Sequence, residues 1–267
     1  SICPQFRLDG AMVYDQRILS WKGLDRVSIL TLGGRQLVST RIGDYQATRF
    51  DRVRGQCDLI LRSNVFYLAV VTDVPEEPEL DPVGKLGVDL GIVNLAVDSD
   101  GEVHSGSAVT NVRERVGALR GRLQAVGTPS AKRHLKKLSG RVARFSRDVN
   151  HCISKEIVTK AKDTRQAIVL EDLQGIRRAT VRKAQCGKLH SWGFYQLRQF
   201  IEYKAKVAGV PVIFIDPAYT SQTCPECGHV SKKNRPDRDT FRCVACGFAG
   251  LADHIAAINI AARADVS

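Results

Sequence analysis

The chain has 267 residues, 43% of them hydrophobic and 25% charged, and its 40 Lys and Arg against 28 Asp and Glu give a net charge of +12. No apolar run approaches the roughly 20 residues of a membrane span, the N-terminal SICPQFRLDG lacks the pattern of a signal peptide, and eight cysteines are too few for a disulfide scaffold. Membrane and secreted classes are therefore disfavoured, and we expect a globular protein of about two domains in a reducing compartment.

The positive charge is concentrated in one segment. Residues 111–165 carry 15 basic and 4 acidic side chains, a net charge of +11, whereas residues 1–110 carry −4 and residues 166–267 carry +5. Such a block is typical of a surface that follows a phosphate backbone, and a solvated helix face is the alternative. Composition alone thus indicates a candidate for binding a polyanion.

The first 74 residues contain short apolar runs broken by turn residues, which predicts a small, mostly antiparallel β domain. Ser63-Asn64 stands between two β-rich arms and predicts a hairpin turn. Residues 75–82 hold three prolines and four acids and predict a linker. We therefore assign residues 1–82 to a first domain, truncated at its N-terminus because the chain begins with Ser, and residues 83–267 to a second.

The second domain begins with three short strand patterns, VGKLGVDLGI, VNLAVDSDG and EVHSG, and continues with a helical pattern over 111–165. A break at Thr128-Pro129-Ser130, with Ser130 as the N-cap, predicts a basic helical hairpin. Further along the chain, AIVLEDL predicts a strand, residues 191–208 a helix and VPVIFIDP another strand. A last helix is predicted from about Ala252.

The basic side chains of this hairpin and of the loop after AIVLEDL are candidates for contacting nucleic acid. They are Arg133, Lys136, Lys137, Arg141, Arg144, Arg177, Arg178, Arg182 and Lys183. Tyr219, in the loop before the cysteine region, is a candidate for stacking on a base.

Four cysteines form two CxxC pairs fifteen residues apart, Cys224 with Cys227 and Cys243 with Cys246. This spacing is typical of a zinc ribbon, which we place at residues 218–250. Two disulfides are the alternative, and a reducing compartment disfavours them. Four thiolates close the coordination shell, so the predicted role of Zn²⁺ is structural.

Three carboxylates stand in or beside apolar segments: Asp89 within a strand, Glu171 at the end of another and Asp253 at the start of the last helix. Burying a carboxylate without a partner costs several kcal/mol, so each indicates a salt bridge, a hydrogen-bond network or a metal. If the two strands are neighbours and the helix crosses them, the carboxylates converge on a site suited to two Mg²⁺ or Mn²⁺ ions and phosphodiester hydrolysis. Asp98, Asp100 and Asp172 are explained by turn and strand-end chemistry instead.

GVDLGIVNLAVDSDG, IVLEDLQGI, IDPAYTSQTCPECGH and CVACGFAGLADHIAAINI together resemble the successive motifs of the RuvC-type nuclease domain of the TnpB family. These proteins are transposon-encoded, RNA-guided DNA endonucleases related to the miniature type V CRISPR effectors. The resemblance runs from about Lys85 to the C-terminus and keeps the family's motif order, including the inserted ribbon.

The resemblance implies an α/β, RNase H-like (RuvC) fold with an inserted four-cysteine zinc ribbon, preceded by a β-rich domain similar to the wedge domain that grips guide RNA. It also implies that Asp89, Glu171 and Asp253 are the catalytic, metal-binding carboxylates and that DNA and guide RNA are the partners. The sequence departs from the family in two respects. Ile255 stands where the family usually has Asn, and the helical recognition domain is absent.

The function predicted on this basis is that of a transposon-associated, RNA-guided DNA endonuclease in the bacterial cytoplasm, associated with the nucleoid. A nuclease-inactive DNA- or RNA-binding fragment, or a repressor-like descendant of the family, is the alternative. Retention of all three carboxylates favours the enzyme. Strand transfer by a transposase is a weaker third interpretation.

Overall fold

A computed structural model describes residues 10–62, 64–172 and 193–264. The chain divides into two units, the first ending at Pro75 and the second beginning at Glu76. None of the helices within the described ranges has the length and apolarity needed to cross a membrane.

Two three-stranded antiparallel sheets form the first unit, with strand orders β1-β5-β6 and β2-β3-β4. The strands are β1 (Met12–Tyr14), β2 (Leu19–Trp21), β3 (Arg26–Thr31), β4 (Gly34–Ser39), β5 (Val53–Arg62) and β6 (Val65–Thr72), with a one-turn helix α1 (Asp44–Ala47). The predicted hairpin is confirmed, because β5 and β6 pair up to Arg62 and Val65 and Asn64 between them has a φ of 63°. The core contains Tyr14, Leu19, Val27 and Cys57.

The second unit is built on a five-stranded mixed sheet of order β11-β10-β7-β8-β9. Its strands are β7 (Gly84–Asp89), β8 (Asn94–Asp98), β9 (Val103–Ser105), β10 (Gln166–Glu171) and β11 (Val212–Ile215). β7, β10 and β11 are parallel to one another, β8 pairs antiparallel with β7, and β9 pairs antiparallel with β8 and so has the same direction as β7. All five lie on the predicted strand patterns.

Helices cover both faces of this sheet. The helices of the second unit are α2 (Ser107–Val126), α3 (Pro129–Leu138), α4 (Arg141–Asp163), α5 (Gly193–Val207) and α6 (Ala252–Arg263). α4 and α5 pack on one face against Leu86 and Ile168, and α6 packs on the other against Val169. Because side chains alternate along a strand, the residues at 87, 89 and 171 face α6.

Gly87 allows α6 to lie directly on the sheet. A Cβ atom at this position would lie 2.1 Å from the carbonyl oxygen of Ala257 in α6, so any side chain would displace the helix. Asp89 follows two residues later on the same face of the same strand. The close approach at Gly87 thus keeps the start of α6 near Asp89.

The segment 111–165, predicted as a helical hairpin, lies in three helices. The break near residue 129 is confirmed, but the N-cap of α3 is Thr128 and not Ser130, since the Thr128 hydroxyl accepts a hydrogen bond from the N–H of Ala131 at 3.3 Å. The pattern misses a second break at Gly140, whose φ of 72° ends the regular helix. The periodicity of apolar residues does not reveal such a break when the apolar stripe continues beyond it.

The acidic segment predicted as a linker is held against the second unit. The N–H groups of Glu77 and Leu80 donate to the carbonyls of Val207 and Gly209 at 3.0 and 2.8 Å. The carboxylate of Glu77 also pairs with the Lys162 ammonium at 2.6 Å. The division between the units therefore precedes this segment.

Candidate active site and metal centre

The strand pairing brings two of the predicted carboxylates to one edge of the sheet. β7 and β10 are parallel neighbours with Val88 opposite Leu170, so the next residues, Asp89 and Glu171, lie side by side. Both strands end there, on the face covered by α6. Asp253 is in the first turn of α6, so the third carboxylate comes to the same edge.

The electrostatics of Asp89 reflect this convergence. Burial, reinforced by the negative charges of Glu171 and Asp253, raises the pKa of Asp89 to about 7, and the nearby Arg235 guanidinium opposes the rise. Burial also raises the pKa of Glu171, against a hydrogen bond from Thr220 that lowers it. Three carboxylates that repel one another in a buried place form a set suited to a hard divalent cation.

Three polar side chains contact two of the carboxylates, Glu171 and Asp253, and none of the three was predicted as a site residue. The Asn94 amide donates to Asp253 Oδ2 at 3.0 Å, and the Thr220 hydroxyl donates to Glu171 Oε1 at 2.5 Å. Arg235 pairs with Asp253 Oδ1 at 3.3 Å. Asn94 and Thr220 lie within the motifs that resemble the RuvC-type domain, and this position in the sequence could have indicated that they belong to the site.

The carboxylates excluded from the site have other partners. Asp98 is 1% exposed and accepts from the Lys160 ammonium at 2.5 Å, and Asp100 pairs with the same ammonium at 3.2 Å. Asp172 pairs with Arg198 at 2.9 Å. Buried or half-buried ion pairs account for these carboxylates without a metal.

The raised pKa of Asp89 predicts a pH-dependent stability. A folded-state pKa of about 7 against an ordinary value of 3.8 means that this carboxyl stabilises the fold fully only below about pH 3.8 and loses that contribution as pH rises to about 7. The difference in unfolding free energy between Asp89→Asn and the parent should therefore change by about 3 kcal/mol in favour of the variant from pH 5 to pH 8, in Mg²⁺-free buffer. Denaturant unfolding across that range measures the difference.

The exposed carboxylate of Asp239 provides the matched control, because Asp239→Asn makes the same chemical change in solvent. Its stability profile should run parallel to that of the parent. A parallel profile for Asp89→Asn would show that Asp89 does not carry the raised pKa.

The four cysteines converge as predicted. The Sγ atoms of Cys224 and Cys246 are 3.6 Å apart, as are those of Cys227 and Cys243, and all four sulfurs lie within 4.8 Å of one another. A tetrahedral ion with metal–sulfur bonds of about 2.3 Å requires sulfur separations of about 3.8 Å, so the cluster fits a metal such as zinc. Among the His, Cys, Asp and Glu side chains in the described ranges, only these four form so tight a group of potential ligands.

The cysteine ribbon and α6 share one apolar core. The ribbon contains β12 (Thr240–Arg242) paired antiparallel with β13 (Ala249–Leu251). Phe241 and two of the cysteines are buried against Ala252 and Ile255 of α6. Ile255, where the resembled family has Asn, is 2% exposed and fills this core. Asp253, between these two apolar residues, is thus held by the ribbon.

Five of the predicted nucleic-acid-binding residues lie in the described chain and are exposed on α3 and α4: Arg133, Lys136, Lys137, Arg141 and Arg144. The other four, Arg177, Arg178, Arg182 and Lys183, lie outside the described residues.

Residues 194–260 match a family model described as the Cas12f1-like TNB domain. The chain is 33% identical over 255 residues to the CRISPR-associated endodeoxyribonuclease Cas12f1 of Sulfoacidibacillus thermotolerans, covering 88% of this chain and 58% of that protein. It is 35% identical over 128 residues to the TnpB-like protein MJ0751 of Methanocaldococcus jannaschii, covering 47% of this chain and 45% of that one. The chain thus spans about half the length of the curated relatives it matches.

A solved complex of Cas12f1 with sgRNA and target DNA has a similar fold, with a TM-score of 0.61 at 18% identity over 85% of this chain and 53% of that one. A CRISPR-Cas12f ternary complex aligns with a TM-score of 0.55 at 18% identity, over 98% of this chain and 65% of that one. The chain therefore has an α/β fold of the Cas12f type. The resemblance to the TnpB family and the miniature type V effectors is confirmed.

Proposed function

We propose that this chain is the nuclease portion of a transposon-associated, RNA-guided DNA endonuclease, and that Asp89, Glu171 and Asp253 are its catalytic carboxylates. The observation that carries the proposal is their meeting at one sheet edge, where mutual repulsion and burial raise the pKa of Asp89 to about 7. The relatives named as endodeoxyribonucleases and as an RNA-guided DNA endonuclease support it.

The second unit is, in this proposal, an RNase H-like domain of the RuvC type. Its support is the sheet order β11-β10-β7-β8-β9, in which β8 is antiparallel to the other four strands, with helices on both faces. The zinc ribbon at 218–250 is inserted before the last helix, and the β-rich first unit corresponds to a wedge-like domain. The boundary between residues 82 and 83 is the proposed division by function, whereas the compact units divide after Pro75.

The three carboxylates would hold Mg²⁺ or Mn²⁺, and the four cysteines a structural Zn²⁺. The bound divalent ions would supply positive charge at the scissile phosphate and at the attacking water. The chain's own side chains prepare the site: Thr220 orients Glu171, and Asn94 orients Asp253. Arg235 brings a guanidinium to the same edge, where a phosphate would also bind.

The partners we propose are DNA and guide RNA, met in the cytoplasm at the nucleoid. The exposed cations of α3 and α4 would contact the phosphate backbone. Support comes from the concentration of charge in residues 111–165 and from the solved Cas12f1 complex, which contains sgRNA and target DNA.

The function is tested by incubating the purified chain, with copurified RNA retained, with labelled single-stranded DNA in Mg²⁺. Cleavage that EDTA and Asp89→Ala both abolish is expected. Salt-sensitive DNA or RNA binding without cleavage would reject the nuclease and favour the alternative, a binding fragment or repressor-like descendant.

If the exposed lysines of α3 contact DNA, removing them should reduce the salt dependence of DNA binding. Replacing Lys136 and Lys137 with alanine removes two exposed charges, and each phosphate contact with single-stranded DNA contributes about 0.7 to the slope of log affinity against log salt. The slope should become shallower by about 1.4. Fluorescence anisotropy at several salt concentrations measures it.

The control removes two lysines that already have acidic partners, Lys162 with Glu77 and Lys206 with Glu76. The double variant Lys162→Ala/Lys206→Ala changes the net charge equally and should leave the slope unchanged. Equal slopes for both double variants and the parent would mean that α3 does not contact DNA.

A further inference from the structure

We infer that Tyr219 is a stacking platform for an unpaired nucleobase of the strand held at the carboxylate edge, an inference that rests on the proposed nuclease function. Tyr219 lies at the start of the ribbon, between β11 and Cys224, and immediately precedes Thr220, whose hydroxyl donates to Glu171. Thr220 is 3% exposed, whereas Tyr219 is 58% exposed. The aromatic side chain is thus exposed to solvent on the residue that precedes the partner of Glu171.

The backbone at Tyr219 is in an unfavourable conformation. Its φ is 63°, in the left-handed region that glycine and asparagine tolerate but a bulky side chain rarely adopts. Burial of the ring in a core would offset this strain, but the ring is mostly exposed. Backbone strain kept without a packing gain is typical of functional positions, because selection then acts on what the side chain binds.

Hydrogen bonds hold this loop rigidly. The Tyr219 carbonyl accepts from the N–H groups of Gln222 and Thr223 at 3.0 and 3.1 Å and from the Thr223 hydroxyl at 2.8 Å. The amide of Asn259, itself 5% exposed, donates to the carbonyls of Thr220 and Thr223, both at 2.8 Å. The start of the Tyr219 side chain is therefore fixed before any ligand binds, which lowers the entropy cost of stacking.

The loop that carries Tyr219 is also contacted by a positively charged side chain, that of Arg263. The guanidinium of Arg263 spans the loop and donates to the carbonyls of Asp216 and Ala218. Single-stranded nucleic acid is generally bound by aromatic side chains that stack on bases beside positive groups that meet the backbone. Tyr219 and Arg263 supply both kinds of group on the loop whose Thr220 contacts Glu171. The ligand class that fits is single-stranded DNA, since every base has a face on which a ring can stack.

The test measures binding apart from cleavage. A short single-stranded oligonucleotide carrying 2-aminopurine is titrated with the full chain in Mg²⁺-free buffer, and quenching and affinity are recorded. Tyr219→Phe keeps the ring and should bind within about twofold of the parent. Tyr219→Asn keeps a backbone suited to a positive φ but removes the ring, so affinity should fall about tenfold and quenching should be lost. The salt slope should not change, because stacking releases no counterions.

Thermal unfolding separates binding from folding. Tyr219→Asn should be at least as stable as the parent, since asparagine relieves the strain at this φ. Tight binding by Tyr219→Asn, or an equal loss in Tyr219→Phe, would overturn the platform, and so would a parent chain that fails to bind the oligonucleotide. Tyr219-dependent binding without cleavage would overturn the proposed nuclease and leave the platform standing.

Discussion

Cleavage by Asp89→Ala, Glu171→Ala or Asp253→Ala is expected to fall about a thousandfold or more, a loss of roughly 4 kcal/mol in transition-state stabilisation. Each carboxylate lies at the same sheet edge, and in the proposed site each would be a metal ligand that the other two cannot replace. Binding of single-stranded DNA should stay close to that of the parent, because fewer negative charges face the phosphates. Single-turnover cleavage and anisotropy on the same preparations test both parts.

Asp100→Ala is the matched control for these substitutions. Asp100 also belongs to the second unit, but its carboxylate pairs with Lys160 and is 46% exposed. Its cleavage rate should remain within about twofold of that of the parent. A comparable loss in Asp100→Ala, or loss of binding in step with cleavage in the three carboxylate variants, would contradict the catalytic assignment.

Loss of the proposed Zn²⁺ from the four-cysteine cluster is expected to have the second large effect. Cys243→Ser should release about one zinc per chain and lower the unfolding midpoint by about 10 °C or more, because structural zinc supplies folding free energy directly. The damage should reach the carboxylate site, since Cys243, Phe241 and Ile255 share the core that holds the start of α6. Metal analysis by mass spectrometry and thermal unfolding measure both changes.

Cys152→Ser provides the control, because Cys152 is an exposed thiol on α4, away from the cluster. It should keep full zinc content and the parent midpoint. Zinc retained at the parent's stoichiometry in Cys243→Ser would contradict the proposed four-thiolate site. An unchanged midpoint after zinc loss would contradict the structural role.

The four-cysteine cluster could be predicted from the sequence because the pattern that defines it is local. Each CxxC pair brings two sulfurs together within one turn of chain, and Gly228 and Gly247 supply the positive φ, 70° and 79°, that follows each pair. Only the meeting of the two pairs needed the fold, and the pairing of β12 with β13 accounts for it. The strand patterns and the final helix were predicted for the same reason, since their periodicities are short.

The carboxylate site depends on long-range structure. Glu171 is 82 positions from both Asp89 and Asp253. No local sequence pattern predicts that β7 and β10 are neighbours or that α6 crosses them. The motif resemblance led to these residues, whereas pairing of β7 with β10 and the close approach at Gly87 bring them together.

The sequence by itself determined the α/β class, the two hairpin strands and the cysteine cluster, because these follow from short-range pattern, and its motifs predicted the three carboxylates. Only the tertiary structure decided that Asn94, Thr220 and Arg235 hold those carboxylates, and that Ile255 joins the ribbon to α6. It also decided that the basic segment has three helices. The physical reason is that a side chain's partners are set by packing between distant segments, which periodicity and propensity do not encode.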